Sequence, residues 1–160
     1  MEILDLFDIN GNHLNKTMVR ASRPISDGEY IKIVTIWIKC KNKFLIQKTS
    51  EAKHNEYAVS GGHVPTGTTP IEQAVIELDE ELGIKITTGQ LSYLGRVVRG
   101  HVLFETYLLE DDNFDTYPIT LQETEVEDVL WLNSSEIEYL INKSDFRESS
   151  AMQYDKFIRI

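Results

Sequence analysis

The sequence predicts an α/β sandwich with a mixed β-sheet between helical layers, on three observations. Ile31-Lys32-Ile33-Val34-Thr35-Ile36-Trp37-Ile38 is dense in β-branched residues and has the composition of a central strand. The stretch from Thr69 to Gly83 carries the punctuation of a helix at both ends. Around these two, hairpin signals and helix signals alternate along the chain instead of segregating into halves, which is the pattern of a layered α/β architecture. At 160 residues the chain fits one domain, 1–160, with enough apolar residues for a core and no internal repeat.

Taken in order, Glu2 to Asp8 alternates apolar and acidic residues, Asn10-Gly11 marks a tight turn, and Leu14 to Val19 is again extended, so an N-terminal hairpin is expected over about 1–20. Asp8-Ile9-Asn10-Gly11-Asn12 lacks the third acidic position and the closing glutamate of a calcium loop and is read as the turn. Arg20-Ala21-Ser22-Arg23-Pro24 then forms a loop, from which Arg20 and Arg23 could reach an anionic ligand. After the central strand, Lys41-Asn42-Lys43 turns into Phe44 to Lys48, a second strand and hairpin partner, with Lys48 a candidate phosphate contact.

A glycine-rich loop, Gly61-Gly62-His63, leads into the helix. Thr69 is the N-cap, Pro70 the first helical residue, Glu72 the reciprocal capping partner, and Gly83 follows the last periodic position. Ile71, Ala74, Val75, Leu78 and Leu82 gather on one face, and Glu77, Glu80 and Glu81 on another. Three carboxylates at i, i+3 and i+4 repel one another, so a cation against them relieves the arrangement; a hard divalent ion such as Mg²⁺, bound by carboxylates plus phosphate, suits it. A solvated acidic face is the plain alternative.

Further on, Leu91 to Arg99 and His101 to Leu109 form two strands around Gly100, Glu110 to Asp115 an acidic loop, Glu125 to Leu132 a strand, Asn133 the cap of a helix reaching about Ile141, and Ser149 to Ile158 a last helix with Met152, Phe157 and Ile158 as docking residues.

The spacing from Gly62 to Ile84 resembles the signature of the Nudix hydrolase family, G-x5-E-x7-R-E-U-x-E-E-x-G-U, where U is a bulky aliphatic residue. Gly62, Glu77, Leu78, Glu80, Glu81, Gly83 and Ile84 fall on its positions without a gap. Thr68 stands where the family has its first glutamate, and Ile76 where it has the arginine. The resemblance implies the Nudix fold and Mg²⁺ or Mn²⁺ held by Glu77, Glu80, Glu81 and the Gly62 carbonyl. It implies hydrolysis of a nucleoside diphosphate linked to another moiety X by water attack at phosphorus, with Glu77 and Glu80 as catalytic carboxylates. Glu105, Glu123 and Glu125 are further candidates for the general base, and Arg20, Arg23, Lys48 and His63 for substrate binding; Lys53, Arg96 and Arg99 are weaker candidates for phosphate.

Asp5 through Lys53 is similar to the subgroup resembling isopentenyl-diphosphate isomerases. The isomerase reaction itself is not expected, because Asn55 to Ser60 holds no cysteine before the motif. Ile76 donates no hydrogen bond, so the glutamates are expected to lose one orienting partner; a catalytically weakened or inactive module binding a nucleotide or protein partner is the competing reading.

The net charge of −10 disfavours binding to duplex nucleic acid or to anionic membranes. The lone Cys40 excludes a disulfide framework, and neither a membrane span nor a basic signal sequence is legible, so a cytoplasmic setting is expected. A homodimer is common in such families; the sequence leaves the oligomeric state open.

Overall fold

In the computed structural model, which describes residues 1–114 and 117–159, nine strands and three helices form a mixed sheet covered on both faces, with a small separate hairpin at the N-terminus. The hairpin pairs β1 (Ile3–Phe7) with β2 (His13–Val19), as the alternation predicts. Its turn is held by Asp8, whose carboxylate accepts from the backbone N–H groups of Asn10 and Asn12. Leu4, Leu6, Met18 and Ile31 bury its inner face.

The main sheet is built around β3 (Ile31–Cys40). One edge of β3 runs parallel to β8 (Val102–Glu110), which pairs antiparallel with β7 (Leu91–Arg99) across a turn at Gly100. On the other edge the expected hairpin with β4 forms but is short. β4 (Lys43–Thr49) pairs with β3 only at Lys39–Phe44 and Cys40–Lys43, after which the two strands part like the arms of a V. Between the arms runs Tyr57 to His63, as β5 (Tyr57–Ala58) along β4 and β6 (Ser60–His63) along β3. The glycine-rich segment read as a loop is therefore partly strand. Gly61 permits it: a Cβ there would lie 2.5 Å from the Val34 carbonyl oxygen. The far edge of β4 is completed by β9 (Val126–Leu132).

Helix α1 (Pro70–Leu82) lies over one face of the sheet. Its Thr69–Glu72 capping box and left-handed Gly83 (φ 67°) match the punctuation read from sequence. Ala74, Leu78 and Leu82 pack on Val34, Ile36, Ile38 and Leu45, with Ile71 and Val75 at the margin. On the opposite face, α2 (Ser134–Asn142, capped by Asn133) and α3 (Glu148–Gln153, continuing as a π-helical turn through Ile158) cover Trp37, Phe44 and Ile46. The last helix docks chiefly through residues the sequence did not single out. Tyr154 is fully buried beside Trp37, and Gln153 accepts a hydrogen bond from the Trp37 indole at 3.1 Å. Of the expected docking residues, Ile158 joins this cluster, Phe157 lies over Gly95, and Met152 is half-buried outside it. The acidic loop from Glu110 ends, at Asp115, outside the described residues. Among the described residues no helix is long and apolar enough to cross a membrane.

Candidate functional site

Where β3 and β4 diverge, a cleft of about 440 Å³ opens, walled by β6, α1, the loop before β9 and the start of α3. Glu77, Glu80 and Glu81 all line it, with Gly62, His63 and Arg20. The helical spacing of the glutamates thus delivers three carboxylates to one wall, but into unequal surroundings.

Glu81 is the deepest, 8% exposed. Its Oε1 accepts from the Ser60 hydroxyl, from the Gln47 amide at 3.3 Å and from the Gly61 backbone N–H at 3.3 Å. Burial nevertheless raises its pKa above the ordinary carboxylate range against these donors, and the charge of Glu125 adds to the rise. Glu77 is half-buried; burial, followed by repulsion from Glu81 and Glu80, raises it to about 7, opposed by a hydrogen bond from Gln73 Nε2 at 2.8 Å. Glu80 is exposed. Gly62 lies directly against Glu77: a Cβ on Gly62 would fall 2.1 Å from Glu77 Oε1.

Among the described residues, none of these three carboxylates has a lysine or arginine within ion-pairing distance, whereas the other charges of the cleft are paired. Arg20 holds Glu2 at 2.9 Å, Lys53 holds Glu125 at 3.2 Å, and Arg147 holds Glu56 at 2.6 Å. Among the described residues no three acidic, histidine or cysteine side chains converge into a ready-made metal cage. The donors present are oxygens only, on a helix turn that lacks a counter-charge. That set fits a hard cation that takes part of its coordination from water and substrate phosphate.

The remaining sequence candidates divide. His63 is in the cleft but neutral at ordinary pH, since burial, followed by the charge of Arg20, brings its pKa down to about 4. Arg23 and Lys48 are not among the residues lining the cleft. Arg23 is directed to Glu29 at 3.3 Å and Lys48 to Glu127 at 3.9 Å. Glu105 is also elsewhere, its carboxylate saturated by Arg96, Lys32 and Tyr93, which together hold its pKa down against burial. Of the base candidates outside α1, Glu125 lines the cleft and Glu123 does not.

Neither Thr68 nor Ile76 lines the cleft, and Ile76 is 41% exposed. The expected loss of an orienting partner at Ile76 is met by other side chains: Gln73 orients Glu77, while Ser60 and Gln47 orient Glu81. Gln73 was legible as a glutamine one helical turn before Glu77. Gln47 and Ser60 carried no such signal, because their relation to Glu81 arises from the parting of β3 and β4.

The sequence matches the NUDIX domain over residues 30–154. The match is to the domain as a whole and assigns no subgroup. No curated protein matches the chain. Among solved structures, that of DR0079 from Deinococcus radiodurans is similar over 99% of this chain and 100% of its own, with a TM-score of 0.81 at 18% identity. A MutT NUDIX hydrolase from Burkholderia pseudomallei is similar over 79% of this chain and 96% of its own, with a TM-score of 0.61 at 16% identity. A bifunctional NMN adenylyltransferase/ADP ribose pyrophosphatase from Francisella tularensis, solved with AMP and a manganese ion, is similar over 76% of this chain and 39% of its own, with a TM-score of 0.59 at 21% identity. At such identities the likeness is one of fold. The domain match spans most of the sequence, including the helix whose three glutamates line the cleft, and on that ground the chain belongs to the NUDIX family.

Proposed function

We propose that this chain hydrolyses the diphosphate linkage of a nucleoside diphosphate joined to another moiety X, with Mg²⁺ or Mn²⁺ held by Glu77, Glu80, Glu81 and the Gly62 carbonyl, in the cytoplasm. One observation carries the reading: three neighbouring carboxylates line a cleft without a counter-cation, two of them raised in pKa, while the cations lining the same cleft are paired with other glutamates. A divalent ion bound there would supply a Lewis acid, neutralising phosphoryl oxygens and acidifying a water.

The residues of the chain do the rest. Ser60, Gln47 and the Gly61 N–H hold Glu81 in one orientation, and Gln73 holds Glu77. Glu77, half-buried and steadied by the Gln73 amide, takes the proton of the attacking water in this reading. Glu80, which is exposed, shares the catalytic role, and Glu125, which also lines the cleft, is the third carboxylate to test. His63, neutral, contributes hydrogen bonding rather than charge.

The test is a panel of nucleoside diphosphate derivatives with Mg²⁺ or Mn²⁺, run on the wild type and on Glu81→Gln. Turnover by the wild type that falls at least about 100-fold in the variant supports the reading. The competing reading is a module that binds a nucleotide or protein partner without catalysis; thermal stabilisation by nucleotides with no turnover across the panel would establish that instead.

A further inference from the structure

We propose that the moiety X itself carries phosphoryl groups, gripped by Arg20, Lys53 and Arg147, so that the substrates of this chain are polyphosphorylated small molecules rather than diphosphates of an uncharged sugar. The inference rests on the reading of the cleft as a diphosphate-hydrolysing site and adds the chemistry of its ligand.

Charge placement is the first ground. The chain has 16 lysines and arginines against 26 acidic residues, yet three of its cations line one cleft. They arrive from separate places: Arg20 just past the N-terminal hairpin, Lys53 from the single turn Glu51–Lys53, and Arg147 immediately before α3. Arg20 lies outside the residues 30–154 that match the family domain, so the hairpin adds a charge to the wall that the matched region does not supply.

The present partners of these cations are the second ground. Each is held by a glutamate with a side-chain exposure between 28 and 41%, and pairs this wet contribute little to stability. A phosphoryl group accepts two parallel hydrogen bonds from a guanidinium and carries more charge than a carboxylate, so it displaces such a partner readily. With the scissile diphosphate neutralised by the divalent ion on the carboxylates of α1, an uncharged X would leave these cations in their glutamate pairs.

The walls provide the third ground. Among the described residues, Phe104 is the one phenylalanine, tyrosine or tryptophan lining the cleft, and it is only 8% exposed. Among the described residues no broad ring face is offered on which a base or sugar could stack, which leaves charge as the principal handle for X.

The experiment compares hydrolysis of adenosine 5′-tetraphosphate and ADP-glucose by the wild type, Arg20→Ala and Lys53→Ala. Arg20→Lys and Lys53→Arg, with melting curves, serve as controls for folding. Binding of inorganic tripolyphosphate is measured in parallel by calorimetry. The wild type is expected to favour the tetraphosphate by at least about tenfold in kcat/KM, each alanine to lower that preference about fivefold or more, and the charge-conserving variants to restore most of it. Preference for ADP-glucose, or equal losses on both substrates, would overturn the proposal. Turnover of neither compound would count against the hydrolase reading alone. Calorimetry then decides: tripolyphosphate binding weakened about tenfold by Arg20→Ala or Lys53→Ala upholds the anion site, and absent or unchanged binding rejects it.

Discussion

Gly62→Ala is the sharpest single test of how the site is built. The alanine Cβ would lie 2.1 Å from Glu77 Oε1 and 2.4 Å from its carboxyl carbon. Ordinary carbon–oxygen contacts sit near about 3.4 Å, so the carboxylate must withdraw by more than about 1 Å. Displacement of a catalytic group by that distance lowers activity about 100-fold. Gly62 does not adopt a left-handed backbone, and what blocks the methyl is the end of a side chain that can swing away. The fold should therefore barely register the change, with a melting temperature lowered by no more than about 2–4 °C, the shift that about 1 kcal/mol produces in a chain this long. Gly61→Ala makes the opposite case one residue earlier. Its Cβ meets the Val34 carbonyl at 2.5 Å, which is backbone, so β6 must be levered off β3. Overpacking of that kind costs about 1–3 kcal/mol, seen as a melting temperature lower by several degrees. Mn²⁺ affinity by calorimetry, kcat/KM on the best substrate of the panel, and melting curves read all three quantities. A Gly62→Ala protein with Mn²⁺ affinity and activity within about threefold of the wild type would refute the assignment of Gly62 and Glu77 to one metal site, since the 100-fold loss requires that contact.

Other expectations follow from the same geometry. Gln73→Leu removes the amide that steadies Glu77, so Mn²⁺ affinity at neutral pH should fall about 10–100-fold and recover in part at higher pH, where the carboxylate is ionised without help; affinity unchanged at all pH values would show that Gln73 does not position it. Glu77 has a folded pKa of about 7 against an ordinary 4.5, so its contribution to stability is fully present below about 4.5 and is lost as pH rises through 7. His63 runs the other way, its folded pKa of about 4 removing stability as pH falls below 6.5. Melting curves in chelator should thus fall between pH 6.5 and 8 in the wild type and flatten in Glu77→Gln, and Mg²⁺ should raise the wild-type melting temperature more at pH 8 than at pH 5; parallel curves for the two proteins would contradict the burial of that charge. Thr68→Glu combined with Ile76→Arg should change activity by no more than about threefold, because neither position lines the cleft and Glu77 and Glu81 already have partners; a gain of about 10-fold or more would mean that those partners are insufficient.

Much of this protein was determined by local sequence. The capping box at Thr69 and Glu72, the proline after it, the left-handed Gly83 and the apolar stripe define α1 from residues within one or two turns of each other, which is why its limits and its two faces are legible without a structure. The same holds for the hairpin at Asp8–Asn12, for the Gly100 turn and for the Asn133 cap. Side chains brought together over long separations were a different matter. Gln47, Ser60 and Glu81 meet because β3 and β4 part after two residue pairs and β6 takes the vacated edge, a pairing decided by competition among strands and not by any one of them. Only the tertiary structure brought Arg20, Lys53 and Arg147 to one cleft and directed Arg23 and Lys48 elsewhere, since the destination of a surface cation depends on which carboxylates the fold leaves beside it. The spacing of Glu77, Glu80 and Glu81 was written in the helix. Their unequal burial, and hence their unequal proton affinities, came from the sheet against which that helix is laid.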